Sequence, residues 1–374
     1  MVGTTAPLLR SPLHERHTEL GAKFAEFGGW SMPLEYPTGV VKEHQAVRAG
    51  VGLFDVSHLG KLVVRGPGAA AYVNSVLTND LDRIRPGQAQ YTLCCEDATG
   101  GIVDDLIVYL RSEDEVLLVP NASNSAEVAR RLAEHAPPGV EVVDEHRDHV
   151  VLAVQGRESD EVLTELGMPV GHDYMSFAIA PFRGERVVVC RSGYTGERGY
   201  ELIAPYAVAV PLWDALLEAG HRRGIVPCGL GARDTLRTEM GYPLHGQDIT
   251  LDTTPVQARL AWAVGWDKPS FWGREALLAE RAAGPSRVLR GIVASGRGIP
   301  RPGMTVSEGP DAAGDSAGEV TSGTFSPTLR KGVGLAYLAP HVKVDAEVGV
   351  DVRGRREAFV VTKPPFVQPS VREV

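Results

Sequence analysis

Two adjacent aspartates inside an apolar stretch are the first candidates for acid–base chemistry. Asp104 and Asp105 interrupt the run GGIVDDLIVYL, residues 100–110. Aspartate is depleted in strands, and side chains alternate across a strand, so one of the two carboxylates is expected to face inward. A carboxylate in a desolvated pocket acquires a raised pKa and can exchange protons near neutral pH. The alternative, of equal weight, is that the pair ends a turn after Gly100 and Gly101.

A glycine-rich segment carries the next candidate, a glutamate that could bind a ligand. SGYTGERGYELI spans residues 192–203 and places Glu201 within a predicted strand. Closely spaced glycines allow a backbone to approach a ligand or to turn tightly. A buried glutamate needs hydrogen-bond partners, and a flat heterocycle with adjacent ring and exocyclic N–H donors would satisfy both of its oxygens. The pattern alone favours the simpler interpretation, a hairpin turn with a glutamate on an edge strand.

Arg233 and Asn121 are the remaining polar candidates. Arg233 lies in GLGARDTLR near a predicted helix start, where the helix dipole disfavours a cation. An arginine in that place suggests an anionic partner, although a local salt bridge is the interpretation that the pattern favours. Asn121 ends the apolar run LLVPN and is expected to bind a ligand or to cap the next helix, SNSAEVARRLAEH, for which Ser123 and Asn124 are also candidate caps.

Several common catalytic and metal-binding motifs are missing from the sequence. It contains no GxxxxGK[ST] loop, no complete GxGxxG and no GxSxG. The histidine pairs His14/His17 and His146/His149 are typical of polar faces, and the four cysteines include no CxxC. We therefore expect no metal, and we expect catalysis to come from carboxylates, arginines and binding.

Charge and hydropathy limit the partners. The net charge is −9 without a long basic run, which disfavours nucleic acid and an anionic membrane surface. No apolar run approaches the roughly 20 residues that a membrane span needs. Four unpatterned cysteines and an N-terminus without a signal peptide predict a cytoplasmic protein.

The elements that must position these residues suggest a mixed α+β architecture. Residues 61–144 read as strand, helix, two or three strands, helix and strand, which is a ferredoxin-like unit with one strand extra. Residues 149–255 mix strands and helices. From residue 287 onward short strands alternate with glycine and proline, as in an antiparallel barrel or sandwich, and residues 307–318 (SEGPDAAGDSAG) are predicted to form a hairpin loop.

Ten segments together resemble the glycine cleavage T-protein family, in the order in which that family has them. They are FGGWSMPLEY, LFDVSH, GGIVDDLIVY, LLVPNAS, LAVQG, SGYTGERGYEL, GARDTLRTEMGYPLHGQDI, TTPVQA, TSGTFSPTLRKGVGLAY and PPFV. The resemblance runs through nearly the whole chain and is far more specific than any single motif.

The resemblance implies an α+β fold in a three-domain clover-leaf arrangement around a central folate site. The first domain would be discontinuous, residues 1–55 and 145–270, and would bind folate. A ferredoxin-like second domain would span residues 56–144. A C-terminal β-barrel or jelly-roll-like domain would span residues 271–374.

The family's reaction implies the partners. An aminomethyltransferase of this kind takes the one-carbon unit of the aminomethyl group on the lipoyl arm of H-protein and transfers it to tetrahydrofolate. Ammonia, methylene-tetrahydrofolate and the dihydrolipoyl arm result. The implied partners are thus lipoylated H-protein and the small molecule folate, a co-substrate. Because H-proteins of this family are usually acidic, docking is expected to use a local basic patch, with Arg233 and Arg237 as candidates at its entrance.

The family's site residues carry over by motif. The second aspartate of GGIVDDLIV, Asp105, matches the catalytic aspartate beside the folate's reactive nitrogens. Glu201, rather than Glu197, matches the pterin-binding glutamate. The other matching positions are Arg233 in the folate site, Asn121 and Tyr194 in the pocket lining, and Leu59, where some members have methionine. The family's C-terminal tyrosine would fall near Val371, but the tail reads PSVREV, so we carry no contact over from it.

Two other functions remain open at this point. A folate-dependent demethylase of a small methylated compound would share the folate-binding segments and differ on the donor side. A folate-binding accessory protein of iron–sulfur assembly would carry a KGCYxGQE-like motif. This chain has RTEMGYPLHGQDI there, without the cysteine, which disfavours the accessory protein.

Overall fold

The computed structural model describes residues 7–309 and 316–372 of the chain. Its elements fall into four successive stretches. The first contains β1 (Leu9–Arg10), α1 (His14–Glu19), β2 (Lys23–Phe27), β3 (Trp30–Glu35), α2 (Val40–Ala49) and β4 (Gly52–Asp55). The second contains β5 (Leu62–Arg65), α3 (Ala69–Val76), β6 (Gln88–Cys95), β7 (Ile102–Ser112), β8 (Glu115–Val119), α4 (Ser125–His135) and β9 (Glu141–Asp144).

The other two stretches complete the chain. The third contains β10 (His149–Gln155), α5 (Ser159–Glu165), β11 (Phe177–Phe182), β12 (Glu185–Cys190), β13 (Gly199–Pro205), α6 (Ala209–Ala219), β14 (Val226–Cys228) and α7 (Leu230–Met240). The fourth contains α8 (Arg274–Ala283), β15 (Val288–Ala294), β16 (Thr305–Glu308), β17 (Ser316–Ser326), β18 (Lys331–Leu338), β19 (Glu347–Val352) and β20 (Arg355–Thr362). Short 3₁₀ helices lie at Leu81–Arg83, Tyr206–Val208, His221–Arg223 and Ala261–Ala263.

The second stretch forms a five-stranded sheet with the order β6-β7-β8-β5-β9. All of its pairings are antiparallel. Strands β9, β5, β8 and β7 have the order of a ferredoxin-like unit, and β6 adds a fifth strand at the edge beside β7. Helices α3 and α4 cover one face, where Val73, Val128 and Leu132 join the core. The predicted ferredoxin-like unit with one extra strand is confirmed.

A six-stranded sheet joins distant parts of the chain. Its order is β11-β12-β13-β10-β4-β14, so β4, which precedes the five-stranded sheet in sequence, lies between β10 and β14. The two sheets share an apolar core, in which Val63 and Leu117 of one accompany Val151 and Ile203 of the other. Polar residues beside this shared core are therefore held by two rigid sheets.

The fourth stretch closes into a barrel with the order β15-β18-β17-β16-β19-β20. Its interior is apolar, and the predicted α+β class with a C-terminal barrel is confirmed. The antiparallel pair of β16 and β17, with Thr305 opposite Glu319, flanks the predicted hairpin loop, whose residues 310–315 lie outside the described part of the chain. Helix α7 contacts β3, β17 and β18, so it joins the barrel to the rest of the molecule.

A buried polar group beside β4 ties the N-terminal helix to the six-stranded sheet. The Oδ2 atom of Asp55 lies 2.9 Å from Nε2 of His17, and its Oδ1 atom accepts a hydrogen bond of 2.9 Å from the backbone N–H of Ser57. Burial would raise the pKa of Asp55, but the hydrogen bond and charge of His17 outweigh it and hold the pKa at about 2. The folded state therefore prefers the ionised carboxyl.

We expect this carboxylate to make folding sensitive to acid. Because the folded pKa lies below the unfolded value of about 3.9, the stabilisation is present above pH 4 and is lost as the pH falls toward 2. Its size is on the order of 2 kcal/mol. Urea unfolding at pH 6 and at pH 3 should show a smaller acid dependence in Asp55→Asn than in the wild type. An exposed control, Asp267→Asn, should keep the wild-type dependence, and an unchanged dependence in Asp55→Asn would contradict the assignment.

Candidate active site

The adjacent aspartates lie near the start of β7 and share one amide. Both lie inside this strand, so the interpretation that they end a turn is wrong. Asp104 is fully buried, and its carboxylate accepts hydrogen bonds from the backbone and side-chain N–H groups of Asn121, both 2.9 Å, and from Nδ2 of Asn124, 2.7 Å. Nδ2 of Asn121 also donates to Oδ1 of Asp105 at 2.9 Å. One asparagine thereby bridges both carboxyl groups.

Asp105 differs from its neighbour in having a half-buried position and a hydroxyl partner. Its Oδ2 atom accepts a hydrogen bond of 3.0 Å from the hydroxyl of Tyr91 on β6. The ring of Tyr91 stacks on Trp262, with 5.3 Å between the centroids, and 62% of Trp262 is exposed. Burial raises the pKa of Asp105, and the hydrogen bonds from Tyr91 and Asn121 oppose this. This carboxyl is thus suited to proton exchange.

His245 and Asn124 are parts of this network that the sequence analysis missed as site residues. Nε2 of His245 lies 3.2 Å from the backbone oxygen of Ile102, which can only accept, so this nitrogen carries the proton. Nδ1 then accepts from Nδ2 of Asn124 at 3.0 Å. Asn124 occupies the predicted N-cap position of α4, but its side chain makes no capping hydrogen bond. Its amide donates a hydrogen bond to Asp104 instead.

Glu201 lies on β13, which is an inner strand of the six-stranded sheet, so the edge-strand interpretation is wrong. Its Oε2 atom accepts a hydrogen bond of 2.6 Å from the hydroxyl of Ser192. Within residues 7–309 and 316–372 its carboxylate has no further hydrogen-bond partner. Glu197, by contrast, is bound to Arg48 at 2.8 Å and to Ser370. Glu201 is the glutamate that retains capacity to accept hydrogen bonds from a ligand.

Arg233 is the second group whose charge is left available. It lies in the first turn of α7, and its guanidinium carbon is 4.6 Å from the ring centroid of Tyr194. Among the described residues no carboxylate lies within ion-pair distance of it, so the local salt bridge favoured by the sequence pattern is wrong. Asp234 pairs with Arg237 instead, at 2.7 Å. Burial lowers the pKa of Arg233, and the charge of Glu201 opposes this.

Tyr194 connects the two halves of the site. Its hydroxyl donates to the backbone oxygen of Pro243, and its ring stacks on Tyr242 with 5.6 Å between the centroids. Burial raises the pKa of Tyr194, and the charges of Asp105 and Arg233 both act on that pKa. Arg233 in turn interacts with the charge of Glu201. Through Tyr194 and Arg233, the charges of Asp105 and Glu201 are therefore linked in one part of the structure.

Two other predicted residues have different surroundings. Leu59 is half-buried and packs against the apolar core that the two sheets share, so its contact with a ligand stays a prediction. Arg237 is only 1% exposed and is bonded to Asp248 at 2.8 Å and to Ser322 at 2.9 Å. The expectation that Arg237 lies at the entrance of a docking patch is therefore wrong.

The C-terminal tail lies on the glycine-rich segment. The backbone N–H of Ser370 donates to the oxygen of Gly196 at 2.7 Å, and the guanidinium of Arg191 donates to the oxygen of Val371 at 2.9 Å. These contacts use the backbone of the tail and therefore do not depend on the tyrosine that is absent near Val371. Ser370 and Val371 therefore support the chain that leads into Glu201.

The described residues lack the features of a metal site and of a membrane-spanning helix. They contain no group of three or more His, Cys, Asp or Glu side chains arranged to hold a metal ion. Among them, no helix has the length and apolar character that a membrane span requires.

The fold and the paired acidic site define a multidomain α+β enzyme with a closed C-terminal barrel. Its structure is similar to the crystal structure of glycine cleavage system aminomethyltransferase T from Bartonella henselae, with a TM-score of 0.90, 37% identity and coverage of 97% of this chain and 99% of that one. The family model described as the GCVT N-terminal domain matches residues 13–268. The glycine cleavage T-protein C-terminal barrel domain matches residues 287–368.

Curated relatives agree with these matches. The aminomethyltransferase of Parafrankia sp. is 65% identical over 366 residues, covering 98% of this chain and 99% of the relative. That of Mycobacterium tuberculosis is 56% identical over 367 residues, covering 98% of both chains. This chain belongs to the glycine cleavage T-protein family, and the predicted family and enzyme class, aminomethyltransferase, are confirmed.

Proposed function

We propose that this protein transfers the one-carbon unit of an aminomethyl group, carried on the lipoyl arm of an H-protein, to tetrahydrofolate. Family membership supports the reaction class. The observation that carries the assignment to this site is the pair of unused charges, Glu201 and Arg233, in one environment with the half-buried Asp105. A reduced folate has pterin N–H donors for a glutamate and carboxylates for an arginine.

The proposed roles follow from the chemistry that the reaction requires. Two new bonds join the transferred carbon to N5 and N10 of the folate, while its bonds to the amine nitrogen and the lipoyl sulfur break. The two N–H protons of the folate end on the departing ammonia and on the sulfur, so the step needs no oxidant. The folate supplies the nucleophile, and the enzyme supplies orientation and proton transfer. Asp105 moves the proton, while Glu201, Arg233, Asn121, Tyr194 and Leu59 hold the folate.

A direct assay tests this function. The protein is mixed with tetrahydrofolate and aminomethyl-loaded H-protein, and ammonia and methylene-tetrahydrofolate are measured together. We expect them in equal amounts, with little ammonia when folate is omitted. Production of methylene-tetrahydrofolate from a small methylated compound, without a response to loaded H-protein, would instead support the demethylase.

The donor is expected to be bound to its carrier protein. Contacts between the two protein surfaces deliver the arm at high effective concentration, which the free arm lacks. We therefore expect kcat/KM for loaded H-protein to exceed that for free aminomethyl-lipoamide by about 10²-fold or more. Steady-state assays at micromolar donor compare the two. Equal kcat/KM values for the two donors would mean that the carrier protein is not needed, and transfer to folate would remain as the proposed reaction.

Salt dependence tests how the carrier docks. The chain has a net charge of −9, so an acidic carrier needs a local basic patch, whose attraction is screened beyond about 10 Å at 0.1 M salt. We expect the rate with loaded H-protein to fall between low and moderate salt, with no such fall for the free arm. A flat or rising rate would contradict docking through a basic patch.

The domain boundaries and the cellular location are also proposals. The position of β4 between β10 and β14 supports a discontinuous first domain, residues 1–55 and 145–270, around a second domain at residues 56–144. The closed barrel supports a third domain at residues 271–374. Four buried free cysteines suit a reducing compartment and support a cytoplasmic protein; they are Cys94, Cys95, Cys190 and Cys228.

A further inference from the structure

We propose that Asp104 is a positioning residue: it keeps its negative charge and thereby leaves the proton of the carboxyl pair on Asp105, on the oxygen that faces Tyr91. The inference rests on the function proposed above and deepens it, because it assigns the atom that holds the transferable proton. It also gives a role to Asp104, which is fully buried.

Burial and the neighbouring charge of Asp105 raise the pKa of Asp104, whereas its hydrogen-bond partners oppose this because they stabilise the ionised form. Its Oδ1 atom accepts from Nδ2 of Asn121 at 2.9 Å and from Nδ2 of Asn124 at 2.7 Å, and its Oδ2 atom accepts from the backbone N–H of Asn121 at 2.9 Å. All three partners are N–H groups, which donate and cannot accept. A proton on Asp104 would displace one of these donors and would find no acceptor among them.

The surroundings of Asp105 accommodate a proton. A tyrosine hydroxyl both donates and accepts, so a protonated Oδ2 can donate to the hydroxyl oxygen of Tyr91 across the same 3.0 Å contact. The other oxygen keeps its hydrogen bond from Nδ2 of Asn121. Asp105 is also the half-buried member of the pair, so a proton held there can reach a bound substrate.

His245 fixes the orientation on which this asymmetry depends. An asparagine amide could present either its oxygen or its nitrogen to Asp104. Nδ2 of Asn124 contacts both Asp104 and Nδ1 of His245, while Nε2 of His245 donates to the oxygen of Ile102. Both neighbours of Nδ2 of Asn124 are therefore acceptors. Its two N–H groups donate to Asp104 and to His245, and this fixes the orientation of the amide.

The remaining ionisable neighbours do not cancel the effect. Asp105 is faced by Asp104 on its own strand, by Tyr91 on β6, and by Tyr194 and His245 on loops. Asp104 is faced in addition by the buried thiol of Cys94, whose pKa burial raises to about 12 and which stays neutral. Like charges close together make ionisation of the second carboxyl unfavourable, so the pair keeps one proton to a higher pH than a lone carboxyl.

Carbon-13 NMR of aspartate carboxyls tests the assignment without substrate. The titration is followed in the full-length wild type, in Asp104→Asn, in Asp105→Asn and in the exposed control Asp267→Asn. We expect a carboxyl with a raised pKa in the wild type and in the control. It should disappear in Asp105→Asn and move down by about one unit or more in Asp104→Asn, because the neighbouring charge is gone. A raised titration that survives in Asp105→Asn and vanishes in Asp104→Asn would overturn the proposal.

A second variant covers the case in which Asp104→Asn does not fold. Asn124→Ala removes one hydrogen-bond donor from the Asp104 carboxylate. The negative charge of Asp104 is then less stabilised, and Asp104 should hold part of the proton that the pair shares. The titration of the pair should then move up, and its chemical-shift change should be shared between the two carboxyls. An unmoved titration whose chemical-shift change stays entirely on Asp105 would overturn the proposal.

Activity provides a separate readout. In Asp104→Asn the alkaline limb of kcat/KM against pH should move down by the same amount as the NMR titration, which a merely structural role would not produce. If the wild type fails to transfer the one-carbon unit, the proposed function fails, but the NMR titration still decides where the proton resides.

Discussion

Replacement of Asp105 by asparagine is expected to lower kcat by about 10²–10⁴-fold and to leave folate binding nearly unchanged. The amide cannot exchange a proton near neutral pH, but it can still hydrogen-bond to Tyr91 and Asn121, so the pocket should keep its shape. Single-turnover assays with loaded H-protein measure the loss, and calorimetric titration with a reduced folate measures binding.

Asp104→Asn is the matched control for this experiment. It makes the same exchange of a carboxylate oxygen for an amide nitrogen at the adjacent residue of the strand, and it leaves a carboxyl at position 105. We expect it to retain much more activity than Asp105→Asn at its own pH optimum. Equal losses in the two variants, each at its optimum, would mean that the catalytic role has been placed on the wrong aspartate.

Glu201→Gln is expected to weaken folate binding by about 1.5–3 kcal/mol, roughly a 10- to 150-fold rise in Kd. The amide places a donor against the N–H donors of the pterin. Because Ser192 is the carboxylate's one partner among the described residues, most of the loss should appear in binding rather than in stability.

Glu197→Gln provides the contrast four residues earlier. Its carboxylate is bound to Arg48 and Ser370, so its replacement should lower the unfolding temperature more than it changes the folate Kd. Calorimetric titration and thermal unfolding of both variants separate the two effects. An unchanged folate Kd in Glu201→Gln would mean that this glutamate has only a structural role in the sheet.

Much of the fold could be predicted because its signals are local. Alternating apolar strands, two helices and their order were enough to predict the ferredoxin-like unit with its extra strand, and short strands separated by glycine and proline predicted the barrel. The insertion of β4 between β10 and β14 has no such signal, since it depends on pairings between distant parts of the chain, as of Asp55 with Leu152 and of Gly52 with Val226.

The site was predictable to the extent that each residue conflicts with its local setting. Aspartates in an apolar strand and an arginine at a helix start are visible in the sequence. The alternatives that local patterns favoured for Glu201 and Arg233 were wrong because strand order and salt-bridge partners are tertiary properties. His245 and Asn124 carry no local conflict: one is a single histidine in a loop, and the other is an ordinary helix N-cap residue whose amide happens to have a buried carboxylate within reach.

The contact between the tail and the glycine-rich segment has a consequence for biosynthesis. Arg198 donates its backbone N–H to the hydroxyl of Ser370, which lies 172 residues later in the chain. At ribosomal rates of about 5–20 residues per second, that separation corresponds to roughly 10–30 s of synthesis. During that interval the nascent segment has its sheet neighbours but lacks its contacts with Ser370. The turn that leads into Glu201 therefore gains these contacts only when synthesis of the chain is almost finished.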